Sequence, residues 1–121
     1  MNDSTLRTKS REFAKHIVFL CRKLKENRVE AALVNQLLRC GTSVGANIYE
    51  AQYAQGTKDF ISKFEIALKE CSESEYWLDL LHETGSISND DYVRMQKRCI
   101  ELRRMMVASV KTLKSKQPKG G

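Results

Sequence analysis

The chain has 121 residues and a net charge of +6, with 41% hydrophobic and 30% charged side chains. This composition is typical of one globular domain and excludes a disordered chain, because the apolar fraction is large enough to form a core. No apolar run approaches the roughly 20 residues that cross a bilayer. The polar N-terminus also lacks the apolar segment of a signal peptide. We therefore expect a cytosolic protein.

Two amphipathic helices are predicted in the first half of the chain, over residues 6–27 and 30–55. Apolar residues recur every three or four positions, which is the helical period. They are Phe13, Ile17, Leu20 and Leu24 in the first helix, and Leu33, Leu37, Val44, Ile48 and Ala51 in the second. The period continues through Gly41, so we predict one helix there. Gly41 and Gly45 together allow another helix to approach closely.

Two further helices are predicted over residues 58–83 and 89–114. Their apolar positions include Phe60, Phe64, Ala67, Cys71, Leu78 and Leu81, followed by Tyr92, Cys99, Leu102, Met106 and Leu113. We expect Thr57 to cap the third helix and Gly85 to end it. Ser88 with Asp91 matches a capping box at the start of the fourth helix.

The predicted fold class is all-α, a single-domain antiparallel four-helix bundle with up-down-up-down topology. The connections are short, so consecutive helices must run antiparallel. The one proline, Pro118, follows the last predicted helix, as expected for a chain with long helices. We assign residues 1–116 to the bundle and predict that residues 117–121 form a disordered tail.

The second and third helices carry a family resemblance. The segments are QLLRCGTSVGANIYEA, residues 36–51, and KDFISKFEIALKECSESEYWLDLL, residues 58–81. They resemble the four-helix-bundle family named for proteins encoded in 23S rRNA intervening sequences. The matching positions are Gln36, Leu37, Arg39, Ser43, Ala46, Asn47, Ile48, Glu50 and Ala51, then Phe60, Lys63, Ala67, Glu70 and Glu73. Cys40 replaces the usual serine, which is a small-for-small change.

The resemblance implies a shape more firmly than a function. Such proteins are similar to one another in forming four-helix bundles, often assembled into homopentameric rings. They also resemble the accessory protein of diversity-generating retroelements, a basic pentamer that engages nucleic acid and a reverse transcriptase. No catalytic activity is attached to the family.

Polar residues on the second and third helices form a candidate network. They fall at helical spacing on one flank of each helix. The set is Arg39, Ser43, Asn47, Glu50, Lys63, Glu70 and Glu73. We favour a structural role, a buried or interfacial hydrogen-bond network that fixes helix register. A ligand or partner site is the alternative.

No motif for catalysis or metal binding is found. A di-metal bundle needs two Glu-x-x-His motifs, whereas this chain has two histidines and only an Asp79-x-x-His82 pair. A lone cysteine or serine with two scattered histidines is not a nucleophile–base constellation. We expect the four separated cysteines to be reduced packing residues, mostly half-buried. The sequence thus predicts a non-enzyme without a cofactor.

Basic residues are concentrated near both ends of the chain. No acidic residue follows Glu101, and residues 1–28 contain eight basic and three acidic side chains. Antiparallel topology brings the two ends to one pole, for which we predict contact with RNA or DNA without sequence specificity. The candidates are Arg7, Lys9, Arg11, Arg103, Arg104, Lys111, Lys114 and Lys116. No aromatic residue is interleaved with them, so base stacking is not indicated.

Two alternatives remain for these charges. The basic segments are either a nucleic-acid surface or a solvated face, in which case the chain is a scaffold that binds another protein. The third helix is acidic and the first is basic. They pair either within one bundle or between identical subunits of a ring, and the family resemblance favours a homo-oligomer, with a pentamer expected.

Overall fold

The computed structural model describes the backbone of residues 3–116 and the side chains of residues 4–116. The predicted tail, residues 117–121, lies outside the described residues. Four helices account for nearly all of the described chain, and no strand occurs in that part. They are α1 (Asp3–Glu26), α2 (Ala31–Ala51), α3 (Thr57–Glu83) and α4 (Asn89–Ser115).

The helices form the predicted four-helix bundle, so the fold class is confirmed. Each helix packs against two neighbours: α1 against α2 and α4, and α3 against α2 and α4. The diagonal pairs α1–α3 and α2–α4 make no close contact within residues 3–116. Basic α1 and acidic α3 therefore do not pair within one bundle, which removes one of the two alternatives for their charges.

The core is continuous along the bundle and contains the predicted apolar stripes. The largest buried side chains include Phe13, Ile17, Phe64, Leu78 and Met106, all at most 1% exposed. Burying side chains of this size contributes about 1.5–3 kcal/mol each relative to leaving them in water. The bundle is thus held together mainly by its apolar stripes.

The second helix is continuous through Gly41, as predicted. A Cβ atom at Gly41 would lie 2.8 Å from Cγ1 of Ile17, and one at Gly45 would lie 3.2 Å from the carbonyl oxygen of Ser10. Both glycines therefore let α1 and α2 approach closely. The helix ends at Ala51, four residues before the predicted boundary, because the amides of Gln52, Tyr53 and Ala54 bond to carbonyls three residues back.

The helix ends agree with the predicted caps at two places and differ at one. The Ser88 hydroxyl accepts a hydrogen bond from the amide of Asp91 at 3.2 Å, and Gly85 follows α3 in a left-handed conformation. Thr57, however, is the first residue of α3 rather than its cap. The Asp59 carboxylate instead accepts a hydrogen bond from the amide of Gln55 at 3.1 Å.

Candidate nucleic-acid interface

Charge is divided between two sides of the bundle. The helices α1 and α4 each contain seven basic and three acidic residues, whereas α3 contains three basic and seven acidic residues. Because α1 and α4 are neighbours, their net charges of +4 each lie on one side of the molecule. The start of α1, the α2–α3 connection and the end of α4 share one end of the bundle, which we call the basic end.

Three of the eight predicted nucleic-acid residues form ion pairs between helices. Lys9 lies 3.0 Å from Glu101. Arg103 lies 3.1 Å from Glu75, and Lys114 lies 3.1 Å from Glu65. These cations hold α4 against α1 and α3, and their charge is partly neutralised by the paired carboxylates.

The other candidates near the end of α4 are exposed. Arg104, Lys111 and Lys116 have no ion pair with any residue in the described range 4–116. Lys97, which the sequence analysis missed, precedes Arg104 by seven residues, and Lys111 follows it by seven. Residues seven apart lie on the same side of a helix after two turns. Lys97, Arg104 and Lys111 therefore form one outward row, which we call the α4 ridge.

The seam between α1 and α4 contains two cation-rich grooves. The first, of about 700 Å³, is lined by Thr5, Lys9, Lys97, Ile100, Glu101, Arg104 and Met105. The second, of about 190 Å³, is lined by His16, Phe19, Leu20, Lys23, Asp91, Arg94, Met95 and Arg98. Burial, and then the nearby Arg98 guanidinium, lower the pKa of His16. The hydrogen bond from Lys23 lowers the pKa of Asp91.

The remaining two candidates, Arg7 and Arg11, lie on the side of α1 that faces α2. Arg7 donates a hydrogen bond to Oε1 of Gln52. Both arginines line a groove that also contains Tyr49. The sequence predicts no aromatic residue interleaved with the basic ones. That expectation holds along the chain but not in space, because Tyr49 is on α2 and the two arginines are on α1.

The candidate polar network on α2 and α3 divides into two sets of ion pairs between the helices, which we call clamps. Nη1 of Arg39 lies 3.0 Å from Glu70, and its Nη2 lies 2.5 Å from Glu73. The indole nitrogen of Trp77 donates to the same Glu73 carboxylate at 3.4 Å. The hydrogen bond from Arg39 lowers the pKa of Glu73. The Arg39 side chain is 49% exposed, so this clamp lies at the rim of the helix interface.

The second clamp joins Lys63 to Glu50 at 3.7 Å. Asn47 is directed to its own helix, since its Nδ2 donates to the carbonyl oxygen of Ser43 at 2.9 Å. The structure thus brings five of the seven network residues together across α2 and α3. It leaves Ser43 and Asn47 without a described hydrogen bond to α3.

A polar cluster that no sequence motif predicts lies between α3 and α4. The Tyr92 hydroxyl and the Gln96 amide both donate to Oδ1 of Asp79, each at 2.6 Å. The His82 ring stacks on Tyr92 with centroids 4.0 Å apart. Asp79 therefore bonds to α4 instead of forming a metal motif with His82. Among residues 4–116, no group of three histidine, cysteine or acidic side chains is placed to hold a metal ion.

All four cysteines are free and fully buried, which corrects the expectation that most are half-buried. Burial raises the pKa of both Cys21 and Cys40 to about 11. The sulfur atoms of Cys71 and Cys99 lie 3.9 Å apart between α3 and α4. All four thiols are enclosed by the core, so these cysteines pack as small apolar side chains.

Within residues 3–116, no helix is both long enough and apolar enough to cross a membrane. Each helix is apolar on one face only, and the charged residues of its outer face lower the mean hydropathy of any long window.

Comparison with known proteins adds a family and a close structural relative. The model of the 23S rRNA-intervening sequence protein family matches residues 2–108. A crystal structure at 1.70 Å of a protein of unknown function, from the S23 ribosomal protein family of Bacteroides thetaiotaomicron VPI-5482, is 42% identical. The match covers 92% of this chain and 99% of that one, with a TM-score of 0.89. The comparison with curated proteins finds no match. On the extent of the family match and the shared bundle, the chain belongs to the 23S rRNA-intervening sequence protein family.

Proposed function

We propose that this protein is a non-catalytic binding protein that contacts the backbone of RNA or other nucleic acid without sequence specificity. The observation that carries the proposal is the unneutralised charge on the second half of α4. No acidic residue follows Glu101, and Arg104, Lys111 and Lys116 are exposed without an ion pair among the described residues.

The geometry suits phosphates rather than base edges. Seven helical residues rise about 10.5 Å, so the α4 ridge presents cations at regular intervals along a straight line. Each cation that binds a phosphate releases a counterion, which makes the affinity fall steeply with salt. The ridge contains no aromatic side chain, so this surface reads charge and shape.

Fluorescence anisotropy with a labelled RNA hairpin tests the proposal. We expect binding that weakens strongly between about 50 and 200 mM salt, because affinity follows counterion release. The variant Arg104→Gln/Lys111→Gln/Lys116→Gln should bind more weakly, with a shallower salt dependence. The matched control, Lys25→Gln/Arg28→Gln/Lys69→Gln, removes the same charge from exposed residues elsewhere on the bundle. Equal losses in both variants, or binding that ignores salt, would contradict the proposal.

We further propose that the protein is a homo-oligomer, with a pentamer expected from the family resemblance. Two features support self-association. Basic and acidic helices occupy different sides, so identical subunits can meet through opposite charges. The outer face of α4 also exposes Val93 and Val107, 49% and 46% exposed, with Ile100 between them at seven-residue spacing.

Light scattering measures the assembly. We expect a mass near five times 13.9 kDa, and a smaller mass for Val93→Glu/Val107→Glu with unchanged helical circular dichroism. A monomer at micromolar concentration would refute self-association.

The same exposed valines favour a second candidate function, a scaffold or accessory subunit that binds another protein and has no role with nucleic acid. Affinity purification with and without nuclease separates the two functions. A single protein partner that is retained after nuclease treatment and lost in the valine variant would favour the scaffold.

A further inference from the structure

A shallow groove lies on the outer side of the seam between α1 and α2, close to the basic end. It has a volume of about 700 Å³, a size typical of small-molecule sites. Its lining includes three small residues, Ala14, Gly45 and Ala46. Gly45 rests against the backbone of Ser10, so the two helices are close together at this point. Ala46 beside it is exposed, and Ala14 and Gly45 are partly exposed.

One wall of the groove is cationic. Arg7 and Arg11 line it from α1, and Arg11 has no ion pair with any described residue. The one carboxylate in the lining is Glu50, which is also 3.7 Å from Lys63 on α3. The groove therefore keeps a net positive charge from two guanidinium groups, which bind phosphate oxygens in a fork geometry.

The other wall is aromatic. Tyr49 lines the groove and is 57% exposed. Tyr53 lies next to Tyr49, just past the end of α2 and outside the lining itself, and is 70% exposed. Their ring centroids are 5.6 Å apart. Two large rings left this exposed on neighbouring turns offer a stacking surface that no described part of the chain covers.

We propose that this groove binds an unpaired nucleotide of single-stranded nucleic acid, with the base stacked on Tyr49 or Tyr53 and the adjoining phosphate held by Arg7 and Arg11. The inference rests on the proposed nucleic-acid function and deepens it. The α4 ridge attracts any phosphate backbone, whereas an aromatic wall favours strands whose bases are not already stacked in a duplex. The two surfaces share the basic end, so one bound strand can contact both.

A pair of labelled probes tests this inference: an oligouridine of about ten nucleotides, within the usual range of single-strand sites, and a duplex RNA of equal charge. We expect Tyr49→Ala/Tyr53→Ala to weaken oligouridine binding about tenfold or more, since stacking contributes about 1–3 kcal/mol per base. Duplex binding should stay within about twofold, because phosphate contacts carry it. Tyr49→Phe/Tyr53→Phe should retain oligouridine binding.

The control variant is Tyr76→Ala. Tyr76 is also exposed, at 59%, but it lies on the acidic helix α3 and packs edge-on against Trp77. Losing this ring should leave binding of both probes unchanged. Photocrosslinking of 5-iodouridine in the same oligonucleotide should place the adduct on the peptide that contains Tyr49 and Tyr53.

The outcomes separate this inference from the function on which it rests. Salt-sensitive duplex binding with no effect of the tyrosine variants would refute the groove as a nucleotide site, and so would an adduct on Tyr76. Either result would leave the proposed phosphate binding by the basic surface standing. Equal weakening of both probes by Tyr49→Ala/Tyr53→Ala would also overturn it. Absence of binding to either probe at low salt would overturn both proposals.

Discussion

The helix α1 meets its two neighbours in very different ways. Against α2 it packs over a long, close interface, with Ile17 on Gly41 and Ser10 on Gly45. Against α4 its contact is much less extensive. That seam is bridged by ion pairs such as Lys9–Glu101, and it contains both cation-rich grooves.

The difference separates the buried packing that stabilises the bundle from the ion pairs at its surface. Close apolar packing stabilises a bundle, whereas exposed ion pairs contribute at most about 1 kcal/mol each. The α1–α4 seam depends little on close packing, so its surface can also carry cations that have no carboxylate partner. We expect substitutions of buried residues in the α1–α2 seam to change mainly the free energy of unfolding. Substitutions of exposed residues in the α1–α4 seam should change mainly binding and pH dependence.

The largest expected effect is that of Ile17→Ala. Ile17 is fully buried against Gly41, and glycine has no side chain with which to refill the space. We expect a loss of about 2–5 kcal/mol in the free energy of unfolding, measured by urea denaturation. A loss below about 1 kcal/mol would mean that α1 and α2 collapse onto the cavity.

A smaller loss is expected for Gly41→Ala. Alanine favours a helix over glycine by about 1 kcal/mol, but its Cβ would lie within 3.0 Å of three Ile17 side-chain atoms. Overpacking of this kind costs about 1–3 kcal/mol. The net result should be destabilising, and Ile17→Val should offset part of it in a double-mutant cycle.

Gly56→Ala is the control for steric crowding, because no atom beyond its own chain neighbours lies within 4 Å of the added Cβ. A stabilising Gly41→Ala would show that the α1–α2 seam has more room than its geometry implies.

The next largest effect is expected at Asp91, and it concerns how stability depends on pH. Asp91 bridges Lys23 at 2.9 Å and Arg94 at 2.5 Å, and these partners lower its pKa below the usual 3.8. Its stabilising contribution is therefore present above pH 3.8 and is lost as pH falls through the lowered pKa. We expect Asp91→Asn to cost about 0.5–1 kcal/mol near neutral pH and to flatten the acid limb of the stability curve.

Asp90→Asn provides the control for this measurement. Asp90 is in the same first turn of α4 but is exposed and has no ion pair among residues 4–116. Parallel stability curves for the Asp90 and Asp91 variants would contradict the role of the bridge.

The smallest expected effect is that of Lys9→Gln. Lys9 and Glu101 are 42% and 53% exposed, so water and salt screen their attraction. We expect the free energy of unfolding to change by at most about 0.5 kcal/mol, and we expect this change to disappear in high salt. A salt-independent loss above about 1 kcal/mol in the free energy of unfolding would show that this pair stabilises the fold. The α1–α4 seam would then contribute to stability as the α1–α2 seam does.

The sequence was sufficient for the fold because its signals are local. The three- and four-residue spacing of Phe13, Ile17 and Leu20 specifies a helix whatever surrounds it, and short connections leave only antiparallel neighbours. Gly85 and Ser88 mark helix ends through their own backbone and hydroxyl chemistry. The end of α2 was missed because the switch from α-helical to three-residue hydrogen bonds past Ala51 leaves no pattern in the side chains.

The candidate sites required the tertiary structure, because their members are far apart along the chain. Arg11 and Tyr49 lie on different helices, and only the close packing of α1 on α2 brings them to one groove. Which basic residues are paired also depends on the rotation of each helix, which gives Arg103 a carboxylate at Glu75 and leaves Arg104 exposed. The amino-acid sequence determined four helices and an excess of cations, because periodicity and charge are properties of the chain itself. Only the tertiary structure decided which cations are paired with carboxylates and which have a tyrosine ring beside them, because those contacts form between helices.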